Sequence, residues 1–267
     1  KIKELINFTG NISVEYPPKD EMGDYSVQCA SLKNEEYKNP IEIANKIANN
    51  FNDVQLKNAI DYAHKYGVKI YLTVNTLIYE SEINDFLEYV ELVHKMGVDA
   101  ILIQDFGMLK LLRAKFPDLE IHASTQMHNN GKNMLTLLQK YGVKRVVLDR
   151  EMSLEEIKKL PNTIEKEVFC HGALCVSYSG QCLFSSMILS RSGNRGECAG
   201  MCRLPYKLEV DGKLVDKNPK YYLSLKDLCT VNEIDKILDS GVNCLKIEGR
   251  MKSPEYVGYM TKIYREL

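Results

Sequence analysis

The sequence predicts an α/β fold in which repeated strand–helix units build a parallel sheet, either a (β/α) barrel or a doubly wound sheet. Three observations support this prediction. A joint made of an amphipathic helix, a Gly-Val pair and an apolar strand occurs four times, and six strand patterns follow one another along the chain. The first five strands are spaced by roughly 20 to 30 residues, which is typical of βαβ units.

The joints give the order of the elements. Residues 58–66 have the period of an amphipathic helix, Gly67 suits a left-handed helix cap, and 68–74 is apolar and β-branched. The same pattern leads into strands predicted at 100–103, 145–148 and 244–247. Two further strands are predicted at 119–124 and 167–171, after loops that contain Pro117 and Pro161.

Two stretches depart from this rhythm. A long insertion at 172–230, rich in cysteine, separates the fifth strand from the sixth. Residues 1–52 contain a strand pattern that ends at Pro17, a turn, and a helix start at Pro40, which together predict a small α+β segment. The sequence therefore predicts a boundary near residues 50–55, with an N-terminal segment at 1–52 and the β/α domain at 53–267.

The composition excludes several classes of protein. Lys and Arg total 35 against 36 for Asp and Glu, which excludes a globally basic nucleic-acid binder but leaves room for a local basic patch. No apolar run approaches about 18 residues, so we expect no membrane-spanning helix. The chain begins at Lys1 without a secretory pattern, and we expect a piece of a cytoplasmic protein.

Cysteine spacing predicts a metal centre. Four thiols, spaced C-x6-C and C-x3-C across a 15-residue gap, can converge if the Gly-rich chain between them folds back: Cys175, Cys182, Cys198 and Cys202. Thiolates suit zinc or an iron–sulfur cluster, and because only the second pair has the tight spacing of a zinc knuckle, the pattern favours the cluster. Buried thiols without metal are the alternative, and they suit Cys29, Cys170, Cys229 and Cys244 better.

Polar side chains follow the predicted strand ends, where β/α enzymes place their chemistry. They are Asn75, Gln104, Asp105, Ser124, Thr125, Gln126, Arg150, Glu151, His171, Lys246, Glu248 and Arg250. Strand alternation puts Lys246, Glu248 and Arg250 on one face, where the two cations suit a dicarboxylate or an RNA phosphate, or else form a solvated salt-bridge edge. His171 is a candidate for substrate orientation or proton donation, Glu248 for acid–base work, and Arg150 for substrate binding.

Five motifs together resemble the collagenase-like peptidase family, whose relatives include RNA hydroxylases and ubiquinone-pathway hydroxylation proteins. They are His-Gly-Ala-Leu-Cys at 171–175, Tyr-Ser-Gly-Gln-Cys at 178–182, Asn-Arg-Gly-Glu-Cys at 194–198, Cys-Arg-Leu-Pro-Tyr at 202–206 and Lys-Ile-Glu-Gly-Arg-Met-Lys at 246–252. The resemblance extends from about residue 53 to the C-terminus.

This resemblance implies a TIM-like (β/α) barrel, a [4Fe-4S] cluster and an oxygen-independent hydroxylation that takes its hydroxyl group from prephenate. The implied cluster ligands are Cys175, Cys182, Cys198 and Cys202. The sequence at 191–206 is most similar to the family branch that makes 5-hydroxycytidine in 23S rRNA, followed by the branch that makes 5-hydroxyuridine in tRNA. We therefore expect an RNA partner.

The start of the chain departs from that family. Its first two strand motifs are absent, and residues 13–50 instead resemble the N-terminal additional domain of arginyl-tRNA synthetases, which contacts tRNA. The signatures of aminoacylation are absent as well. We therefore expect an incomplete barrel without its first two strands, and little or no turnover by this chain.

Three classes of function compete. The first is iron–sulfur-dependent RNA hydroxylation with prephenate as co-substrate. The second is a collagenase-like peptidase acting on a protein substrate, although no Gly-x-Ser-x-Gly or His-Glu-x-x-His motif supports it. The third is a non-catalytic RNA-binding module with a structural metal such as zinc.

Overall fold

The computed structural model describes residues 14–15, 26–27, 53–249 and 252–267. Near the N-terminus, β1 (Val14–Glu15) and β2 (Ser26–Val27) pair antiparallel. The remaining elements are, in chain order, α1 (Asp53–Lys65), β3 (Tyr71–Val74), α2 (Ile83–Met96), β4 (Ala100–Ile103), α3 (Phe106–Lys115), β5 (Ile121–Ala123), α4 (Lys132–Lys140), β6 (Arg145–Val147), α5 (Leu154–Lys158), β7 (Glu165–Gly172), α6 (Phe184–Leu189), β8 (Glu209–Val210), β9 (Lys213–Leu214), β10 (Leu228–Cys229), α7 (Ile234–Asp239), β11 (Cys244–Glu248) and α8 (Pro254–Glu266).

The main sheet has six parallel strands in the order β3-β4-β5-β6-β7-β11, and β10 pairs antiparallel with the end of β7. All six predicted strands are present, with ends within three residues of the predicted ones. The predicted α/β fold with a parallel sheet is therefore confirmed. The predicted boundary near residues 50–55 stays a prediction, and most of the N-terminal segment lies outside the described residues.

The sheet curls into an open half-barrel. Neighbouring strands lie about 4.8 Å apart, so side chains on strands three places apart touch only if the sheet bends or the side chains are long. The Arg145 guanidinium of β6 lies 5.4 Å from the ring centre of Tyr71 on β3, and His122 of β5 contacts the same ring at 4.8 Å. Within the described residues, β3 and β11 each pair along one side and form the two edges.

The helix–strand joints have the geometry that the Gly-Val pairs predict. Gly67, Gly97, Gly142 and Gly241 all have a positive φ, between 69° and 91°. In three joints the valine N–H donates to the carbonyl five residues earlier, as in the bond from Val98 to Val93. This Schellman arrangement ends each helix and turns the chain into the next strand.

The hydrophobic core lies between the sheet and its helices. Five helices each bury an aliphatic side chain there: Ile60 of α1, Val90 of α2, Leu109 of α3, Leu135 of α4 and Ile237 of α7. The strands contribute Ile101, Ile121 and Val146. Burial of each large aliphatic side chain stabilises the fold by about 1.5–3 kcal/mol, so the core holds the strand ends in a fixed arrangement.

The insertion at 172–230 holds short elements rather than a further βα unit. It contains α6, two 3-10 turns at Gly193–Arg195 and Met201–Arg203, and the hairpin of β8 and β9. Asp211 and Gly212 join the hairpin with φ values of 50° and 75°, as a two-residue type I′ turn requires. The Asp-Gly pair is the sequence signal for this hairpin. The hairpin is not among the predicted elements.

Candidate functional site

The four predicted thiols line one open cavity beside the C-terminal ends of β5 and β6. Its volume is about 680 Å³ when the open mouth is included. Cys175, Cys182, Cys198 and Cys202 share its wall with Gln126 and Arg150, which follow β5 and β6. The cavity therefore joins the cysteine insertion to the strand-end residues of the sheet.

Arg203 fastens the two cysteine segments to each other. One guanidinium nitrogen donates to Ser224 Oγ at 2.9 Å and to the Leu225 carbonyl at 2.8 Å. The other nitrogen donates to the carbonyl of Leu174, which directly precedes Cys175. Since Arg203 follows Cys202, this one side chain sets the distance between the first and last thiols.

Two donors face the third thiol. The Gly200 N–H donates to Cys198 Sγ at 3.4 Å, and Ser185 Oγ, which accepts a hydrogen bond from the Ala199 N–H at 3.0 Å, lies 4.0 Å from the same sulfur. Hydrogen bonds to sulfur tune the redox potential of a bound iron–sulfur cluster.

Gly180 brings the loop between Cys175 and Cys182 against β5. A Cβ atom at this position would lie 2.2 Å from the carbonyl oxygen of Gln126, and the φ of Gly180 is +72°. Asn194 Nδ2 donates to the Gly180 carbonyl at 3.1 Å and ties the second cysteine segment to the first. Only glycine fits this crossing.

The thiols are spaced more widely than a single zinc ion requires. Thiolates bound to one tetrahedral zinc at about 2.3 Å lie about 3.8 Å apart. Among residues 53–249 and 252–267, no three of the four sulfur atoms lie within 4.8 Å of one another. Burial raises the pKa of Cys202 and the other three thiols raise it further, so all four interact. Four thiols suit zinc or an iron–sulfur cluster, and this spacing is compatible with the larger group.

Arg150 is the predicted substrate-binding residue that reaches this cavity. Its guanidinium lies 5.4 Å from the ring centre of Phe169, and its backbone N–H donates to Ser179 Oγ at 3.2 Å. Arg150 Nε and Gln126 Oε1 are both buried without a hydrogen-bond partner among the described residues. Two residues of the cavity wall thus carry a donor and an acceptor that no group of the described residues satisfies.

Lys246 lies inside the half-barrel in an ion pair. Its Nζ atom is 2.9 Å from Glu167 Oε1, and Arg145 is 3.5 Å from the other oxygen of the same carboxylate. Burial alone would raise the pKa of Glu167, but Lys246 and Arg145 together hold it below its usual value. Much of the charge predicted to bind an anionic substrate is therefore already neutralised.

His171 and Glu248 lie on β7 and β11, the last two strands of the sheet. His171 Nδ1 is 3.2 Å from the Tyr264 hydroxyl, and its ring packs between Tyr256 and Tyr264 of α8. Glu248 is the last residue of β11. Arg250 lies outside the described residues. The structure thus brings the thiols together with Arg150, while His171 is held by the tyrosines of α8.

A second cluster of polar groups, which includes two residues not singled out from the sequence, adjoins the cavity. His128 Nδ1 is 3.0 Å from Asp149 Oδ2, and both Glu151 oxygens accept hydrogen bonds from Ser179. Burial raises the pKa of Asp149 to about 6. His128 follows β5, as Gln126 does, and Asp149 follows β6, as Arg150 does. This position after a strand end is the sequence signal that could have identified them.

Comparison with known proteins now places the chain in a family. Residues 44–267 match the family model described as Peptidase family U32. The chain belongs to peptidase family U32. Residues 1–72 match a second model, described as the arginyl tRNA synthetase N terminal domain. Both resemblances predicted from the sequence are therefore confirmed, and the U32 match contains all four cavity cysteines.

Relatives of this U32 chain carry different names. It is 39% identical over 210 residues to the 23S rRNA 5-hydroxycytidine synthase of Escherichia coli (strain K12), covering 78% of this chain and 32% of the relative. It is 33% identical over 228 residues to tRNA hydroxylation protein P1 of Bacillus subtilis (strain 168), covering 82% and 54%. It is 34% identical over 234 residues to a collagenase of Porphyromonas gingivalis, covering 82% and 56%.

The U32 chain thus spans about a third to just over half of the length of these relatives. A solved structure described as the U32 peptidase Mk0906 superposes with a TM-score of 0.44 at 13% identity, covering 73% of this chain and 76% of that one. Within its described residues, the chain has no helix long and apolar enough to cross a membrane.

Proposed function

We propose that this U32 chain carries the iron–sulfur site of an RNA hydroxylase that converts a pyrimidine to its 5-hydroxy form with prephenate as hydroxyl donor. The name of one relative suggests 5-hydroxycytidine in 23S rRNA, and that of another suggests a hydroxylated tRNA nucleoside. For tRNA, the product we propose is 5-hydroxyuridine. One observation carries the proposal: four thiols share a cavity with Gln126 and Arg150.

The protein's own groups have separate parts in this proposal. Cys175, Cys182, Cys198 and Cys202 would hold a [4Fe-4S] cluster, which supplies electron transfer that side chains cannot provide. Arg150 would bind a carboxylate of the donor, because it lines the cavity and its Nε–H has no partner among the described residues. Gln126 Oε1 would orient a donor group of the substrate. Enclosure between the insertion and the strand ends would exclude water from the reacting atoms.

The cluster is tested by purifying the chain without oxygen and measuring iron, acid-labile sulfide and visible absorbance. We expect a brown protein with four iron atoms per chain. Cys198→Ser and Cys202→Ser remove thiols of the cavity and should abolish the iron and the colour. Cys229→Ser on β10 is the matched control and should keep both. One zinc ion per chain with no iron would contradict the cluster and favour a structural metal.

The reaction is tested in bacteria that lack their own RNA hydroxylases and express a full-length relative. Substitutions are made there at the positions that match this chain, because we expect little or no turnover by this chain alone. Mass spectrometry of RNA nucleosides measures 5-hydroxycytidine and 5-hydroxyuridine. We expect Arg150→Ala to lower the product at least tenfold while the iron content is unchanged, since it removes donor binding and no cluster ligand. Arg265→Ala, at an exposed residue of α8, is the control.

Because one relative is named a collagenase, peptide hydrolysis is a second candidate function. In the described residues, Ser179 Oγ contacts Glu151, Thr125 and the Arg150 N–H rather than an imidazole, so no serine–histidine pair is formed there. Gelatin cleavage by the purified chain that survives Cys198→Ser, with no hydroxylated nucleoside in cells, would favour the peptidase over the hydroxylase.

A further inference from the structure

Three metal-ligating side chains of different kinds converge beside the cysteine cavity. One donor atom from each of His128, Asp149 and Glu151 lies within 4.8 Å of the other two, and the described residues contain no other such group. We propose that these residues bind a divalent transition-metal ion. This site is distinct from the four thiols and stands independently of the proposed hydroxylation.

Asp149 provides the observation that favours a cation. Its side chain has no exposed surface, and its Oδ1 atom accepts a hydrogen bond from the Asn129 N–H at 2.6 Å. Its Oδ2 atom is buried without a hydrogen-bond partner in the described part of the chain, and Asn129 Oδ1 is in the same condition. His128 Nδ1, at 3.0 Å, faces Asp149 Oδ2 without a hydrogen bond between them, and a buried carboxylate oxygen without a donor is a receptive position for a positive ion.

Glu151 is held in place for ligation by Ser179. The Ser179 N–H donates to Oε1 at 3.0 Å, and its hydroxyl group donates to Oε2 at 2.9 Å. Each carboxylate oxygen keeps a lone pair, and such outer hydrogen bonds are what orient carboxylate ligands at metal sites. Because Ser179 lies between Cys175 and Cys182, the thiol loop also orients this ligand.

His128 supplies the nitrogen donor and the route to solvent. Its Nδ1 atom lies 3.0 Å from Asp149 Oδ2, while its side chain is 38% exposed. Nδ1 also lies 3.2 Å from the Ser179 carbonyl, which accepts its proton, while the Asn130 amide N–H donates to Nε2 at 3.0 Å. A metal ion bound at Nδ1 would replace that proton, so binding should release a proton to solvent.

The donor set indicates the class of ion. One imidazole nitrogen and two carboxylates suit Mn²⁺, Fe²⁺ or Zn²⁺, whereas Ca²⁺ and Mg²⁺ prefer oxygen ligands throughout. Mn²⁺ has little affinity for thiolates. It is therefore a probe that distinguishes this site from the cysteine cavity.

The test is a Mn²⁺ titration of the whole chain, purified without oxygen, with the EPR signal of the free ion as readout. We expect one Mn²⁺ bound per chain. His128→Gln and Glu151→Gln should each weaken binding at least tenfold, and Asp149→Asn should abolish it. Cys198→Ser should bind as the wild type does, because it changes a donor of the other site.

A matched control is His94→Gln, since His94 and Asp118 form a surface pair at 3.4 Å and His94 lies outside the group of three donors. Glu151→Gln has nearly the same shape and keeps one oxygen to accept the Ser179 N–H bond, so it tests the site if Asp149→Asn fails to fold. Absence of Mn²⁺ binding by about 1 mM would overturn the proposal, as would equal binding by Glu151→Gln, His128→Gln and the wild type.

Discussion

At the scale of single residues, burial changes the acid–base behaviour of Asp149. Its pKa rises to about 6 from an ordinary value of 3.8 because its side chain is removed from water. Between these two values the folded chain holds a proton that the unfolded chain has lost. Raising the pH therefore destabilises the folded state, and the loss is complete above about pH 6.

Asp149→Asn should remove this pH dependence. In EDTA, we expect the free energy of unfolding of the wild type to fall by about 2 kcal/mol relative to that of the variant between about pH 4 and pH 7. Urea unfolding at the two pH values measures it. Asp118→Asn, at an exposed carboxylate, is the control and should follow the wild type. A difference between Asp149→Asn and wild type that does not change with pH would contradict the expectation.

Gly180 is the second residue whose environment makes a sharp prediction. Gly180→Ala introduces a Cβ atom 2.2 Å from the Gln126 carbonyl at a φ of +72°, and both the overlap and the strain destabilise the fold. Gly212→Ala has a φ of +75° with nothing within 4 Å, so it isolates the strain. We expect thermal unfolding to show a loss of about 1 kcal/mol for Gly212→Ala and of about 2–4 kcal/mol for Gly180→Ala. Equal losses would argue against the close crossing at Gln126.

At the scale of elements, Arg195 joins the cysteine insertion to the loop after β3. Its guanidinium donates to both oxygens of Glu82 at 2.6 and 2.7 Å, to the Leu77 carbonyl at 2.8 Å, and lies 4.0 Å from the ring centre of Tyr79. The hydrogen bonds from Arg195 and the Tyr79 N–H lower the pKa of Glu82 to about 2. The contact therefore persists across the physiological pH range.

Arg195→Ala should loosen the segment that carries Cys198. We expect the variant to lose iron to a chelator faster than the wild type, because the segment can open without unfolding the sheet. The decay of visible absorbance in EDTA measures this rate. Arg191→Ala, at an exposed arginine of the same segment, should decay at the wild-type rate. Equal rates for Arg195→Ala and wild type would show that the ion pair does not hold the site.

At the scale of the whole molecule, the open sheet predicts uneven protection. β4, β5 and β6 have a neighbour on both sides, whereas β3 pairs along one side within the described residues. Amide hydrogen exchange should therefore be slower at 101–103, 121–123 and 145–147 than at 71–74, because an edge strand opens locally at lower cost. Uniform protection from β3 to β6 would indicate that another strand covers the β3 edge.

Much of the fold could be predicted from the sequence, but less of the site. The Gly-Val joints and the apolar strand patterns are local signals, and the strands at 100–103 and 145–147 follow from them directly. Cysteine spacing identified thiols that do line one cavity. The partners of Lys246 and His171 could not be predicted, since Glu167 and Tyr264 lie 79 and 93 residues away in the chain.

The sequence by itself determined which segments become helices and strands, where each joint turns, and which thiols can meet, because propensity, capping and spacing act over a few residues. Only the tertiary structure decided that Arg150 faces the thiols, that Glu167 neutralises Lys246, and that His128 meets Asp149. These contacts depend on sheet curl, strand register and burial. Such properties arise when distant segments pack against one another, so no local pattern encodes them.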